Sequence, residues 1–251
     1  MRGYFVDVQG TLIDDKTFRP LPGALEFTKY LKENNIPFIL LTNNTKRSSL
    51  EFKSYLKELG FEFDNYLDPL TVLDEVVTSP VAPYGNEKFI NLIKNRFNVD
   101  YKNPKEIILG IKLYSNDEFA EIIESILNGA KLVGMHKTSL YHIDEKRYPG
   151  LGAILEMLKY ATGRDYEVVG KPSKRFFKRA SEILGLNFDK ITIISDDLYG
   201  DLVPAMKFGM EGVLVLSGKI KSEKEITKKP HKTFKNIGEY LEFIRLKRGN
   251  R

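Results

Sequence analysis

The chain has 251 residues, of which 42% are hydrophobic and 29% charged, with a formal net charge of +5 and no cysteine. This length can hold one large domain or a core with an inserted module. The lack of cysteine excludes disulfides and thiolate metal sites. The sequence shows no leader-like segment and no apolar run of membrane-spanning length, so we expect a cytoplasmic protein without a membrane partner.

The positive charge favours anionic ligands. The Lys-rich stretch 219–235 alternates with Glu and Ile. It therefore favours a solvated loop or surface over a nucleic-acid interface, which usually shows basic residues clustered on one face. We expect no nucleic-acid partner.

The first part of the chain alternates strand and helix patterns. Residues 4–6 are strand formers, and 22–31 have apolar residues at helical spacing. The continuous apolar run 38–41 is typical of a strand buried on both faces, and 48–59 predicts a second helix. This order indicates a parallel sheet.

The middle, 78–165, interrupts that order with a Pro-containing stretch and has elements of its own. Its predicted strands are 106–109 and 131–135, and its predicted helices are about 116–127 and 152–160. Ser115 and Glu118 predict a capping box. We therefore predict a small α/β domain over 78–165, inserted into a discontinuous core of 1–77 and 166–251.

The core pattern resumes after the insertion. The predicted elements are a strand at 167–169, a helix at about 174–184, a strand at 191–194, a helix after Asp201, a strand at 212–216 and a helix at about 237–246. The fold class predicted for the whole chain is α/β, with a Rossmann-like parallel-sheet core.

Polar residues follow four of the apolar runs. They are Asp7 with Gln9, Gly10 and Thr11; Thr42 with Asn43 and Asn44; Lys171; and Asp196 and Asp197 with Asp201. Strand ends in open α/β sheets are where ligands bind. Each motif also has a plain structural alternative: Thr42 and Asn43 as helix caps, Lys171 as a surface lysine, and the three later aspartates as a solvated helix start.

In this order and at these separations, the four motifs resemble the haloacid dehalogenase (HAD) superfamily over essentially the whole chain. The resemblance implies a phosphatase with Asp7 as nucleophile, and the insertion as a C2-type cap. It implies Mg²⁺ held by the carboxylates of Asp7 and Asp196 and by the main-chain carbonyl of Gln9. Mg²⁺ prefers oxygen ligands and commonly takes only one or two carboxylates.

The resemblance also assigns supporting roles. Asp201 and Asp197 would hold metal-bound water and Lys171, and Lys171 would neutralise the nucleophile and the phosphate. Thr42 would hydrogen-bond a phosphate oxygen. Backbone N–H groups after Asp7, at Gly10 and Thr11, and at Asn43 and Asn44 would surround it.

Gln9 departs from the family motif Asp-x-Asp-Gly-Thr, whose second Asp protonates the leaving group and then activates water. A glutamine amide cannot exchange a proton near neutral pH. Ser195, where the family often has Gly, is a milder departure. The resemblance includes a branch in which Ser often replaces the second Asp, but Gln is a different substitution.

The leading hypothesis is therefore a slow Mg²⁺-dependent phosphatase acting on a small phosphorylated molecule. The alternative is a weak or inactive member that binds a phospho-ligand or a protein partner; another HAD reaction, such as C–P cleavage or dehalogenation, ranks last. His136 and Lys137 follow a strand of the inserted domain, and substrate binding and a plain surface role stay open for both. The resemblance also allows a homodimer formed through the cap.

Overall fold

The structure is a computed structural model that describes residues 2–143 and 146–249. The strands are β1 Gly3–Asp7, β2 Phe38–Leu41, β3 Asn65–Leu67, β4 Val81–Tyr84, β5 Glu106–Leu109, β6 Lys131–Gly134, β7 Leu140–Ile143, β8 Lys146–Pro149, β9 Tyr166–Val168, β10 Ile191–Ser195, β11 Glu211–Val215 and β12 Lys232–Phe234. The α-helices are α1 Ala24–Glu33, α2 Ser49–Glu58, α3 Pro69–Leu73, α4 Glu87–Lys94, α5 Asn116–Leu127, α6 Leu151–Thr162, α7 Lys174–Leu184, α8 Val203–Lys207 and α9 Ile237–Gly249. In the part of the chain described, no helix is long and apolar enough to cross a bilayer.

The chain divides into two compact units. The first comprises Met1–Thr42, Leu50–Leu67 and Phe177–Arg251, and the second comprises Asn43–Ser49 and Asp68–Phe176. Contacts thus group 43–49, 68–77 and 166–176 with the second unit, whereas the sequence prediction puts them with the core. The predicted domain limits stay a prediction.

The first unit is built on a parallel sheet of six strands among the described residues, in the order β12-β11-β10-β1-β2-β3. Successive strand residues point to opposite faces, and both faces are covered. Val6 of β1 lies in the cluster that contains Phe27 of α1 and Tyr240 of α9. Phe5 points the other way and stacks on Phe177 of α7, with 6.2 Å between the ring centroids. The predicted α/β class with a parallel-sheet core is confirmed.

The second unit has its own parallel sheet, β4-β5-β6-β9, with β7 and β8 forming an antiparallel pair. Ile107 and Ile108 of β5 are fully buried, as are Ile122 of α5 and Leu155 of α6. The predicted capping box of α5 is confirmed, because Ser115 and Glu118 each bond the other's backbone N–H.

The sheets place one predicted strand differently and add two strands that the sequence did not predict. The strand predicted at 167–169 as part of the core is β9, which pairs with β6 of the second unit. A strand forms over Val81–Tyr84 in the Pro-containing stretch, since Pro83 lies on an edge strand, where a missing N–H is tolerated. Part of the stretch predicted as a solvated surface, Lys232–Phe234, is the edge strand β12.

Candidate active site

The carboxyl ends of β1, β2, β10 and β11 lie side by side in the first unit. Asp7 is level with Leu41 of β2, and its neighbour Val6 is level with Ile194 of β10. Ser195 in turn pairs with Leu214 of β11. The polar residues that directly follow these strands therefore share one edge of the sheet.

Asp7 ends β1 and is 6% exposed. The chain turns back directly after it, because the carbonyl of Val8 accepts hydrogen bonds from the N–H groups of Leu12 and Ile13. Gly10 in this turn has a φ of 76°, and a Cβ there would run into the carboxylate of Asp196. Glycine is therefore needed both for the backbone and for the space.

Thr11 forms hydrogen bonds with both Asp7 and Asp196. Its hydroxyl donates to Asp7 Oδ2 at 3.2 Å and accepts from the backbone N–H of Asp196 at 3.1 Å. Thr11 is fully buried and Asp196 is 2% exposed. The buried Thr11 hydroxyl thus fixes the end of β10 against the turn that follows β1.

Burial, together with the nearby carboxylate of Asp7, raises the pKa of Asp196 well above its usual value. Two carboxylates so placed repel each other unless a cation or a proton lies between them. One oxygen of Asp196, Oδ2, is held by the backbone N–H of Lys219 at 2.6 Å.

Asp197 and Asp201 are organised through Ser195. The hydroxyl of Ser195 donates to Asp201 Oδ2 at 2.8 Å and accepts from the N–H of Asp197 at 3.1 Å. Asp201 is 3% exposed, so it is not a solvated carboxylate. The helix-start alternative fits Asp197, whose side chain accepts from Gly200 N–H at 2.7 Å and caps the turn Leu198–Leu202.

Gln9 and Thr42 are paired. The hydroxyl of Thr42 donates to Gln9 Oε1 at 2.6 Å, and Thr42 is fully buried. α2 begins only at Ser49, so the alternative that Thr42 caps this helix is excluded.

The four sequence motifs do not include the loop after β11, and Lys219 was expected to lie on a solvated loop or surface. Ser217 donates through Oγ to the carbonyl of Gly10 at 2.7 Å, and the Lys219 ammonium pairs with Asp197. Burial alone would lower the pKa of Lys219, but Asp197, Asp196 and Asp201 outweigh it and the pKa is raised. The only sequence signal for this loop was its position directly after a predicted strand, the same signal that marked Asp7 and Asp196.

The buried carboxylates fit a hard cation such as Mg²⁺. Asp7 and Asp196 are adjacent and buried, and glycines at 10 and 218 leave the space around the Asp196 carboxylate that side chains would fill. The described residues contain no group of three or more His, Cys, Asp or Glu that could hold a metal ion. Such a site offers two carboxylates and leaves the remaining positions to carbonyl, water and substrate oxygens, as Mg²⁺ tolerates.

The second unit places Lys171 and Asn43 together. Asn43 Oδ1 accepts from the backbone N–H of Lys171 at 2.9 Å, and its Nδ2 donates to the carbonyl of Lys171 at 3.4 Å. Lys171 is 4% exposed, which excludes the surface-lysine alternative. Asn44 instead shapes the following turn, with Oδ1 accepting from Lys46 and Arg47 N–H.

His136 and Lys137 have different surroundings in the second unit. His136 is 6% exposed, and its Nδ1 lies 2.8 Å from the hydroxyl of Thr138. Lys137 pairs with Glu156 at 2.8 Å and lies over the ring of Tyr166. The Lys137 ammonium is thus engaged within its own unit.

Two family models match the sequence, a "Haloacid dehalogenase-like hydrolase" model over residues 4–93 and a "HAD-hyrolase-like" model over residues 168–240. The chain is 29% identical to haloacid dehalogenase-like hydrolase domain-containing protein 2 of Bos taurus, with 97% of this chain and 96% of the bovine protein aligned. It is 26% identical to phospholysine phosphohistidine inorganic pyrophosphate phosphatase of Homo sapiens, over 90% of this chain and 86% of the human protein.

Among solved structures, the chain is similar to p-nitrophenyl phosphatase from Archaeoglobus fulgidus. The TM-score is 0.82 at 25% identity, and the alignment covers 96% of this chain and 98% of the archaeal one. The resemblance predicted from the four motifs is confirmed. The chain is thus similar to haloacid dehalogenase-like hydrolases over most of its length.

Proposed function

We propose that this protein is a Mg²⁺-dependent phosphatase that hydrolyses a small phosphorylated molecule through an aspartyl-phosphate on Asp7. The observation that carries the proposal is the buried pair Asp7 and Asp196, bridged by the hydroxyl of Thr11. Asp7, Asp196 and the main-chain carbonyl of Gln9 would hold the ion. When bound, Mg²⁺ offsets the negative charge of the phosphate and the two carboxylates.

The chemistry on Asp7 has two steps. In the first, an Asp7 carboxylate oxygen attacks phosphorus, the bond from phosphorus to the leaving oxygen breaks, and the leaving group departs with its electron pair. In the second, water attacks phosphorus, the bond between phosphorus and the Asp7 oxygen breaks, and inorganic phosphate and the free Asp7 carboxylate are released. The proton that the water loses stays on the phosphate or passes to solvent. Covalent catalysis of this kind splits one difficult displacement into two easier ones.

Gln9 makes the proposed enzyme slow toward some substrates. Its amide can orient a leaving oxygen or a water but cannot donate or take up a proton near neutral pH. General acid–base help is typically worth about 10²–10⁴-fold. Leaving groups that need protonation, such as alkoxides, therefore suffer most, and phenolates, pyrophosphate and N-phosphates suffer least. The activities named for two similar proteins, a p-nitrophenyl phosphatase and a phospholysine phosphohistidine inorganic pyrophosphate phosphatase, agree with this preference.

The other residues keep the roles that the resemblance implies. In the first unit, the N–H group of Thr11 would bind a phosphate oxygen, and Asp197 and Asp201 would hold metal-bound water. The Gly10 N–H donates to the carbonyl of Ile13 at 2.8 Å and the Thr42 hydroxyl donates to Gln9, so these two groups would bind phosphate only by exchanging those partners. In the second unit, Lys171 would neutralise phosphate, with its backbone fixed by Asn43. The proposed substrate contacts of that unit are completed by Asn44, His136 and Lys137.

A hydrolysis screen tests the proposal directly. The purified protein is assayed with an aryl phosphate, pyrophosphate and an alkyl or sugar phosphate, with Mg²⁺ and with EDTA. We expect Mg²⁺-dependent release of phosphate, fastest from the aryl phosphate or pyrophosphate. Hydrolysis that persists in EDTA, or in the Asp7→Asn variant, would contradict the proposed chemistry.

Gln9 also motivates the second candidate, a member of the family that binds a phospho-ligand or a protein partner without turning it over. The Thr42–Gln9 hydrogen bond supports it, since it holds an amide, rather than an acid, in the turn that follows Asp7. This candidate predicts saturable binding of inorganic phosphate in the presence of Mg²⁺ with no hydrolysis of any substrate in the screen. Turnover of any of these substrates that is lost in Asp7→Asn would reject it.

A further inference from the structure

The loop 217–219 contacts three parts of the first unit that flank the proposed ion. Ser217 donates to the carbonyl of Gly10 at 2.7 Å. The backbone N–H of Lys219 donates to Asp196 Oδ2 at 2.6 Å, and its side-chain ammonium pairs with Asp197. One residue, Lys219, thus contacts Asp196 with its main chain and places a positive charge on the next carboxylate.

Asp196 is buried, and charges of both signs act on it. The carboxylates of Asp7 and Asp15 both act on Asp196, and the charge of Lys219 opposes them. Lys219 is in turn attracted by Asp197, Asp196 and Asp201. Its positive charge therefore partly offsets the acidic cluster into which a divalent cation would bind.

We propose that Lys219 is a built-in counter-charge of the cation pocket, which compensates its carboxylates when no metal is bound and lowers its affinity for Mg²⁺. The inference rests on the proposed function, in which Asp7 and Asp196 bind that ion. A fixed ammonium near a divalent cation repels it, whereas the carboxylates attract it, so the net affinity is set by their balance. Lys219 positions Asp196 through its backbone N–H and acts on the cation through its charge. It does not contact the reacting atoms in the proposed reaction.

A plain surface ion pair is the alternative. The Lys219 side chain is 51% exposed, and such pairs contribute little to stability. The backbone contact to Asp196 distinguishes Lys219 from a mobile surface lysine, because it fixes the start of the side chain beside the pocket. A surface pair would leave the affinity for Mg²⁺ unchanged, whereas a counter-charge would not.

The test is equilibrium binding of Mg²⁺ to the full-length protein by isothermal titration calorimetry, without substrate. Lys219→Gln removes the charge and keeps the backbone N–H, and Lys219→Arg keeps the charge. Lys219→Met, which also removes the charge, provides the measurement if Lys219→Gln does not fold. The matched control is Lys232→Gln, which changes the net charge by the same amount. This variant also breaks an ion pair, between Lys232 and Glu211. The two residues begin β12 and β11, so they lie at the edge of the sheet opposite to the one that carries Asp7 and Asp196.

We expect Lys219→Gln to tighten Mg²⁺ binding by roughly three- to tenfold, with the gain shrinking at high KCl because salt screens exposed charges. Lys219→Arg and Lys232→Gln should stay within about twofold of the wild type. Unchanged or weaker binding by the charge-removing variants, in a wild type that does bind Mg²⁺, overturns the inference and leaves the proposed function intact. A wild type that binds no Mg²⁺ overturns both.

Discussion

The hydroxyl of Thr42 donates a hydrogen bond to the side-chain oxygen of Gln9, with 2.6 Å between Oγ1 and Oε1. Thr42 follows β2 and Gln9 follows β1, so this bond joins the ends of two adjacent strands. It orients the glutamine: the oxygen is occupied as an acceptor, and the amide nitrogen remains a donor. Gln9 can therefore hold an oxygen atom in place but cannot exchange a proton with it.

The first prediction replaces this glutamine. Gln9→Asp restores a carboxylate, one methylene shorter, and should raise alkyl-phosphate turnover more than aryl-phosphate turnover, by up to about 10²–10⁴-fold. An alkoxide needs a proton to leave, whereas a phenolate needs it much less. Initial rates with both substrates under saturating Mg²⁺ give the comparison. Gln9→Asn is the matched control, because it has the length of Asp and no acid; an equal gain in Gln9→Asn would show that proton transfer is not the cause.

The second prediction concerns the nucleophile. Asp7→Asn should abolish hydrolysis of every substrate, because an amide is a poor nucleophile and a poor ligand for Mg²⁺. Steady-state assays measure the loss, and mass spectrometry of the quenched wild type should show a phosphorylated peptide that contains Asp7. The control is Asp189→Asn, which removes an exposed carboxylate that precedes β10, at the end of the strand opposite to Asp196. Wild-type turnover by Asp7→Asn would refute the aspartyl-phosphate.

The third prediction concerns metal removal. Because burial and Asp7 raise the pKa of Asp196, its charge opposes folding at neutral pH in the absence of a cation. Mg²⁺ should therefore raise the melting temperature, with a stabilisation of about 2.7 kcal/mol at a hundredfold excess over the dissociation constant. Asp196→Asn should melt higher than the wild type in EDTA and should no longer respond to Mg²⁺. Differential scanning fluorimetry measures the melting temperature of both proteins with Mg²⁺ and with EDTA. If Mg²⁺ raises the melting temperature of the variant as much as that of the wild type, the ion binds elsewhere.

The fourth prediction tests the Thr11 bridge between the Asp7 carboxylate and the backbone N–H of Asp196. Thr11→Val has the same shape but leaves the buried N–H of Asp196 without its hydroxyl partner, which should cost about 1–3 kcal/mol of stability and lower the turnover. Thr11→Ser keeps the hydroxyl and should retain most of both. Chemical denaturation and aryl-phosphate assays measure the two effects. A Thr11→Val protein as stable and active as Thr11→Ser would show that the bridge has no role.

The fifth prediction concerns the second unit. Lys171→Ala should weaken phosphate binding, and Asn43→Ala should reproduce part of this effect, because Asn43 holds the backbone of Lys171 on both sides. Product inhibition by inorganic phosphate provides the measurement, with Asn103→Ala, an exposed residue of the same unit, as control. An Asn43→Ala variant with normal inhibition would show that Lys171 is positioned without it.

Much of the candidate site could be predicted from the sequence, because the ends of buried strands are marked locally. Asp7, Thr42 and Asp196 each follow an apolar run, and parallel strands bring such positions to one edge of a sheet. The capping box of α5 could also be predicted from the sequence, since it depends on two residues only three positions apart.

What the sequence could not decide depends on contacts between distant residues. The sequence of strand β9 does not show which sheet it joins, and only its pairing with β6 assigns it to the second sheet. The Pro-containing strand β4 is allowed because it lies at an edge, and the order of strands is a non-local property.

The sequence by itself determined the α/β class, the four motifs and the departure at Gln9, because hydrophobic periodicity and residue chemistry are local. Only the tertiary structure decided that Thr42 holds Gln9, that Ser195 organises Asp201 and that the loop carrying Lys219 contacts Asp196. The physical reason is that a hydrogen bond between side chains far apart in the chain is set by strand order and register. Neither is encoded in the spacing of residues along one segment.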